Sequence, residues 1–226
     1  MLNRNFFALL VVLGLFVISC ERKASLDSDK AKYSYAIGHQ IGRNIKTQSI
    51  ELDVKAFGQA VEDQLNDKPS QLSDQEIQEA LRKMADSRNE ALKAEAEANK
   101  QKGETFLEEN KKKEGVVVTK SGLQYKVVEK GKGKNPKKDD VVKVHYKGTL
   151  NDGTEIDSSY KRNQPAEFKV KAVITGWTEA LQLMKEGAKW QLFIPADLAY
   201  GSRGNPTIPG NSVLVFDVEL LEVLKK

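Results

Sequence analysis

From residue 73 to residue 114 the chain contains no proline, and Ser73-Asp74-Gln75-Glu76 opens this stretch as a capping box. The serine hydroxyl and the glutamate carboxylate would each satisfy a free amide of the first turn. At about 1.5 Å per residue an unbroken helix of this length reaches roughly 60 Å. A chain with such a rod at its centre folds as something before it and something after it. Ile77, Leu81 and Met84 give the start an apolar face, but from Asp86 to Thr105 Leu92 is the only large apolar residue. That stretch is expected to be a solvated stalk, held by alanine propensity and by pairs such as Lys93 with Glu97, each worth a few tenths of a kcal/mol. A disordered linker is the competing reading. Gly103, disfavoured in a helix by about 1 kcal/mol relative to alanine, is expected to be where the stalk flexes.

Ahead of the rod, apolar residues recur at helical spacing in two short segments: Tyr33, Ala36, Ile37, Ile41 and Ile45, then Phe57, Ala60, Val61 and Leu65. Asp53 is a candidate cap for the second, and Asn66-Asp67-Lys68-Pro69-Ser70 breaks it from the rod. So little helix makes little core, and a partner chain is the natural way to complete it. Residues 1–20 read as a targeting segment: Arg4, an apolar run from Phe6 to Ile18, then Ser19-Cys20 and an abrupt switch to charge. The run is shorter than the ~20 apolar residues that span a bilayer. Val17-Ile18-Ser19-Cys20 resembles the lipobox of bacterial lipoproteins, which implies lipid on Cys20; an ordinary cleaved signal or an uncleaved anchor are the alternatives. On each reading the chain leaves the cytoplasm, for the outer membrane or periplasm.

Composition excludes several chemistries. A net charge of +4, with lysines interleaved among glutamates, does not form a nucleic-acid footprint. Cys20 is the only cysteine, and His39 and His145 are the only histidines, so an intrachain disulfide, a thiol pair and a Cys- or His-rich metal centre are all excluded; no cofactor is expected.

At Gly115 the composition turns to β-branched residues, glycines and turns. Leu123 to Val128, Val141 to Leu150, Lys189 to Ile194 and Val213 to Val223 read as strands, and Asn151-Asp152-Gly153 as a hairpin turn. Alternation sets Val142, Val144 and Tyr146 on one face and Lys143, His145 and Lys147 on the other. Trp177, Ala180, Leu181 and Met184 fall on one face of a short helix that Gly187 would end as a left-handed cap. Trp177, just after Gly176, is either a core aromatic or the floor of an apolar pocket. The fold class is α+β, a bent antiparallel sheet with the helix on its concave face. No Ser/His/Asp arrangement, phosphate-cradling loop or metal spacing occurs, and His145 reads as a surface histidine. What the sequence offers instead is Tyr146, Phe168, Val173, Ile174, Trp177, Tyr200, Ile208 and Phe216, with Asp157 as the one candidate acid.

At these residues the chain resembles the FKBP family of peptidyl-prolyl cis/trans isomerases. Val144-His145-Tyr146, Asp152-Gly153, Asp157-Ser158-Ser159, Val173-Ile174 with Gly176-Trp177, Ala199-Tyr200-Gly201 and Leu214 to Leu221 stand in the family's order and spacing. The whole arrangement is similar to the macrophage infectivity potentiator type. The resemblance implies a signal peptide over 1–20, a helical dimerisation region over 21–72, a connecting helix over 73–115 and an isomerase domain over 116–226. It further implies a homodimer through residues 21–85, chaperone activity, and proline-containing exported polypeptides as substrates. Trp177 would floor the proline site, with Tyr146, Val173, Ile174, Phe216 and Ile208 as walls and Phe168 beside them. The Ile174 amide and the Tyr200 hydroxyl would hold substrate carbonyls. Asp157, positioned by Arg162 and Tyr146, would face the rotating amide or serve only as a structural acid. Ile156 stands where the family usually has a phenylalanine wall, Ala166 where some members have an aromatic, and Asn205 where some have a histidine. These departures imply lower or shifted activity, and in the extreme a non-enzymatic chaperone or binding module using the same pocket.

Overall fold

The computed structural model describes residues 24–48 and 50–224; the targeting segment and Cys20 lie outside the described residues. The chain divides into one compact unit ending at Leu52 and a second that begins at Asp53. The first unit contains α1 (Asp29–Thr47), started by the Ser28 hydroxyl, which accepts from the Ala31 N–H. It buries none of its residues: Tyr33, Ile37 and Ile41 are exposed.

The second unit starts with α2 (Val54–Leu65), capped by Asp53, whose carboxylate accepts from the Lys55 and Ala56 amides. Phe57, Val61 and Leu65 are exposed, and the residue α2 buries is Asp63, held by the side-chain amides of Gln59 and Gln71. α3 (Asp74–Asn110) starts with the expected capping box at Ser73 and Glu76 and runs unbroken for 37 residues. Its last third is not a free stalk. Gly103 and Asn110 are buried, and Ala96, Asn99, Phe106 and Leu107 are half-buried, all on one stripe. Gly103 is a point of close approach: a Cβ there would lie 2.7 Å from Val213 Cγ2. The flexing expected at this glycine gives way to a contact that only a missing side chain permits.

Seven antiparallel strands complete the chain: β1 (Val116–Val118), β2 (Gln124–Glu129), β3 (Val141–Leu150), β4 (Glu155–Ser158), β5 (Ala166–Lys169), β6 (Lys189–Ile194) and β7 (Leu214–Leu224). The sheet order is β1-β2-β6-β7-β3-β4, with β5 also on β3. β3 alternates as expected, burying Val142, Val144 and Tyr146. A register shift against β7 between Lys143 and Val144 bends the sheet there. α4 (Thr175–Leu183) lies in the concavity, with Trp177, Ala180 and Leu181 in one cluster with Val142, Val144, Leu192, Ile194, Leu214 and Val218. Gly176 lets its first turn come down on β6, since a Cβ would lie 2.5 Å from Ile194 Cγ2. α4 ends earlier than Gly187: Met184 is already extended, and Gly187, at φ +83°, turns the chain so that its N–H donates to Leu220 O at 2.7 Å.

Candidate active site

The sheet and α4 leave an open cleft of about 680 Å³ at the N-terminus of α4. Its floor is Trp177, 2% exposed in the first helical turn. Three rings meet the indole nearly edge-on: Phe216 at 5.2 Å and 84°, Tyr146 at 5.4 Å and 89°, Phe168 at 5.9 Å and 86°. Such T-shaped contacts fix the indole face as a rigid apolar plate. Its Nε1–H is buried with no acceptor among the described residues. Each ring comes from a different element, Tyr146 from β3, Phe168 from β5 and Phe216 from β7, so the pocket exists only once the sheet is assembled.

Val173, Ile174 and Ala172 form one wall, at the entry to α4. Ile174 is the N-cap of α4, and its own N–H has no acceptor among the described residues. Tyr200, Asn205, Thr207 and Ile208 form the opposite wall, on the loop between β6 and β7. Ile156 and Asp157, on β4, complete the lining. Arg162 does not line the cleft; it acts on it through Asp157 and Tyr146. Ala166 is likewise off the lining, paired with Val144 in the sheet, so its small side chain leaves the cleft walls untouched. Ala172 and Thr207 line the cleft without a signal in the sequence, since Ala172 ends a three-residue 3-10 turn and Thr207 lies in a loop, where periodicity carries nothing.

The polar rim is one connected set. Arg162 Nη1 donates to Asp157 Oδ1 at 2.5 Å and Nη2 to the Tyr146 hydroxyl at 2.8 Å, while Tyr146 Oη–H donates to Asp157 Oδ2. The Ser158 amide donates to Asp157 Oδ1 at 2.7 Å. Burial is the largest single influence on Asp157 and pushes its carboxyl up, but the Tyr146 and Arg162 bonds, the Ser158 N–H and the Arg162 charge together hold it below the ordinary value. Burial, and then the bond to Asp157, raises the Tyr146 phenol, which stays protonated as a donor. Asp157 is therefore an ionised acceptor with both oxygens committed, unsuited to proton transfer. His145 is half-buried, bonded through Nδ1 to the Ser159 hydroxyl at 2.9 Å and stacked on Tyr160 at 4.7 Å, outside the cleft lining. Among the described residues no group of three His, Cys, Asp or Glu could hold a metal ion.

Residues 132–221 match the family described as FKBP-type peptidyl-prolyl cis-trans isomerase, and residues 30–127 match the domain amino terminal to FKBP-type peptidyl-prolyl isomerase. The chain is 44% identical over 207 residues to the outer membrane protein MIP of Legionella longbeachae, covering 89% of this chain and 88% of that one. It is 46% identical over 214 residues to the FKBP-type peptidyl-prolyl cis-trans isomerase FkpA of Aeromonas hydrophila, covering 90% and 80%. The crystal structure of FkpA from Escherichia coli superposes with a TM-score of 0.65 at 43% identity, covering 89% of this chain and 99% of that one. With two family matches that between them take in most of the described sequence, and relatives 44–46% identical over most of the chain, the chain belongs to the FKBP-type peptidyl-prolyl cis-trans isomerases.

Proposed function

We propose that the cleft over Trp177 is where this enzyme turns X-Pro bonds, and that its substrates are exported polypeptides. Rotation about an X-Pro amide must break its resonance, a barrier of about 18–20 kcal/mol, yet it makes no covalent bond and moves no proton. A dry pocket that fits the twisted amide better than the planar one is sufficient. The observation that carries this reading is the indole plate held edge-on by three rings beneath an apolar cleft. The proline ring lies on Trp177 between Tyr146, Phe216, Val173 and Ile208, with Phe168 behind the floor and Ile156 closing the side. The unpaired Ile174 N–H and the Tyr200 hydroxyl hold substrate carbonyls. Asp157, kept ionised and oriented by Arg162 and Tyr146, sets the field at the rotating amide. It neither gives nor takes a proton, in keeping with its committed oxygens.

The test is cis/trans exchange in a Leu-Pro or Phe-Pro peptide, measured without a coupled protease. Trp177→Ala is expected to abolish most of the acceleration, and Tyr200→Phe to reduce it about fivefold, the worth of one hydrogen bond. A Trp177→Ala protein that folds and keeps its full rate would overturn the pocket assignment.

The residues outside the isomerase domain support a second part of the proposal. α1 and α2 expose Tyr33, Ile37, Ile41, Phe57, Val61 and Leu65, too many apolar side chains for a free surface. Two copies of the chain pair through residues 21–85 and cover them, and the space between the paired arms serves as a chaperone surface. A relative named an outer membrane protein supports a place in the cell envelope, with lipid on Cys20 as the anchor. Mass in solution tests the pairing, and a monomer at micromolar concentration would refute it.

A further inference from the structure

The loop that carries one wall of the cleft rests on α3. Its tip is tied to itself: Asn205 Oδ1 accepts from the Thr207 amide at 2.9 Å, the Ile208 amide at 2.9 Å and the Thr207 hydroxyl at 3.0 Å. Its base is closed by the Asn211 N–H donating to Gly201 O at 2.9 Å. These bonds hold the loop's internal shape and leave its seating on the domain to contacts at the base. Two side-chain amides fix that base to the helix. Asn99 Nδ2 donates to Gly210 O at 3.2 Å, and Asn211 Nδ2 donates to Ala96 O at 3.0 Å. Directly below, Gly103 admits Val213 against the helix backbone. Asn211 adopts a left-handed backbone, φ +56°.

We infer that residues 96–103 of α3 position the cleft wall formed by Tyr200, Thr207 and Ile208, with Asn99 and Asn211 as the positioning residues. The inference rests on the pocket reading above. Neither residue lines the cleft, so their effect is on how well the wall closes over a bound peptide. The last third of the connecting helix thereby supports the isomerase cleft.

The experiment uses the full chain with Asn99→Ala and, separately, Asn211→Gly, which keeps the left-handed backbone and removes only the amide. KM and kcat are measured on an X-Pro peptide beside amide hydrogen exchange across the domain, with Trp177→Ala as the pocket control. Loss of one clasp bond is expected to raise KM about fivefold with kcat changed less than about twofold. Exchange should accelerate in residues 201–210 and remain unchanged in β3 and β7. Unchanged KM and loop exchange in both variants overturn the inference, and so does faster exchange spread evenly over the sheet, which marks general destabilisation. Either result beside an inactive Trp177→Ala leaves the pocket reading standing; an unaffected Trp177→Ala defeats that reading by itself.

Discussion

The two ends of α3 bury the opposite of what their residues suggest. Its first half carries Leu81, Met84 and Leu92, which are 52%, 43% and 50% exposed, while its last third, mostly polar apart from Phe106 and Leu107, buries Gly103 and Asn110. At the far end shape and hydrogen bonding act beside a small apolar contact. Gly103 lets a valine methyl reach the helix backbone, the Phe106 and Phe193 rings lie 6.1 Å apart, and Asn110 Nδ2 donates to Gln124 Oε1 while Gln124 Nε2 donates to Leu107 O, both at 2.9 Å. At the near end Leu81, Met84 and Leu92 stand exposed. A helix face is buried because something complementary stands opposite it, and apolar residues without such a cover wait for another molecule.

Three variants test this contrast. The largest effect is expected from Leu81→Gln with Met84→Gln. If the exposed half is the proposed pairing surface, the mass in solution falls from two chains to one, while turnover of a short X-Pro peptide is unchanged. Retention of the paired mass would assign the exposed face another use. Next is Gly103→Val, which places atoms where Val213 already sits. Overpacking of this kind costs about 2 kcal/mol, more than the gain in helix propensity returns, and denaturant unfolding of the C-terminal domain should show it. An undiminished midpoint would mean that the helix lies off the sheet in solution.

The smallest effect separates the cleft from the helix contact by pH. The Asp157 carboxyl is held below its ordinary value of 3.8, so the stability it contributes is fully present above that pH and is lost as pH falls through the lowered folded-state value. The pair with Arg162 is half-exposed, so the loss is a fraction of about 1 kcal/mol. Asp157→Asn should flatten this acid limb. The Asn and Gln amides that dock α3 do not titrate and should contribute equally at about pH 3 and pH 7. An acid limb identical in Asp157→Asn and the parent would show that other carboxylates dominate it.

Much of this architecture is legible in the residues. The capping box at Ser73, the Asp53 cap, the alternation of β3 and the four longer strands are local patterns, and each forms within a residue or two of where the pattern puts it. β1, β4 and β5 carry no such signal, because three or four residues do not make a period and Glu155–Ser158 is half polar. A glycine after an apolar face reads as a cap, which puts the end of α4 at Gly187. The chain instead leaves the helix at Met184 and uses Gly187 to turn toward Leu220. Most cleft residues stand out through motif resemblance, whereas Ala172, at the end of a short 3-10 turn, and Thr207, in a loop, do not stand out at all.

Caps, alternation and motif spacing act between residues a few positions apart, and for that reason the linear chain alone was enough to specify the longer elements and the family. The buried face of α3 and the hold on the loop beside the cleft depended instead on the assembled fold. Asn99 meets Gly210 and Asn211 meets Ala96 across 111 and 115 positions of chain. A stripe in which Phe106 and Leu107 stand among alanine, glycine and asparagine carries too little periodic apolar signal, and burial of its amides becomes favourable only when a surface of matching shape and hydrogen-bonding groups is brought against it.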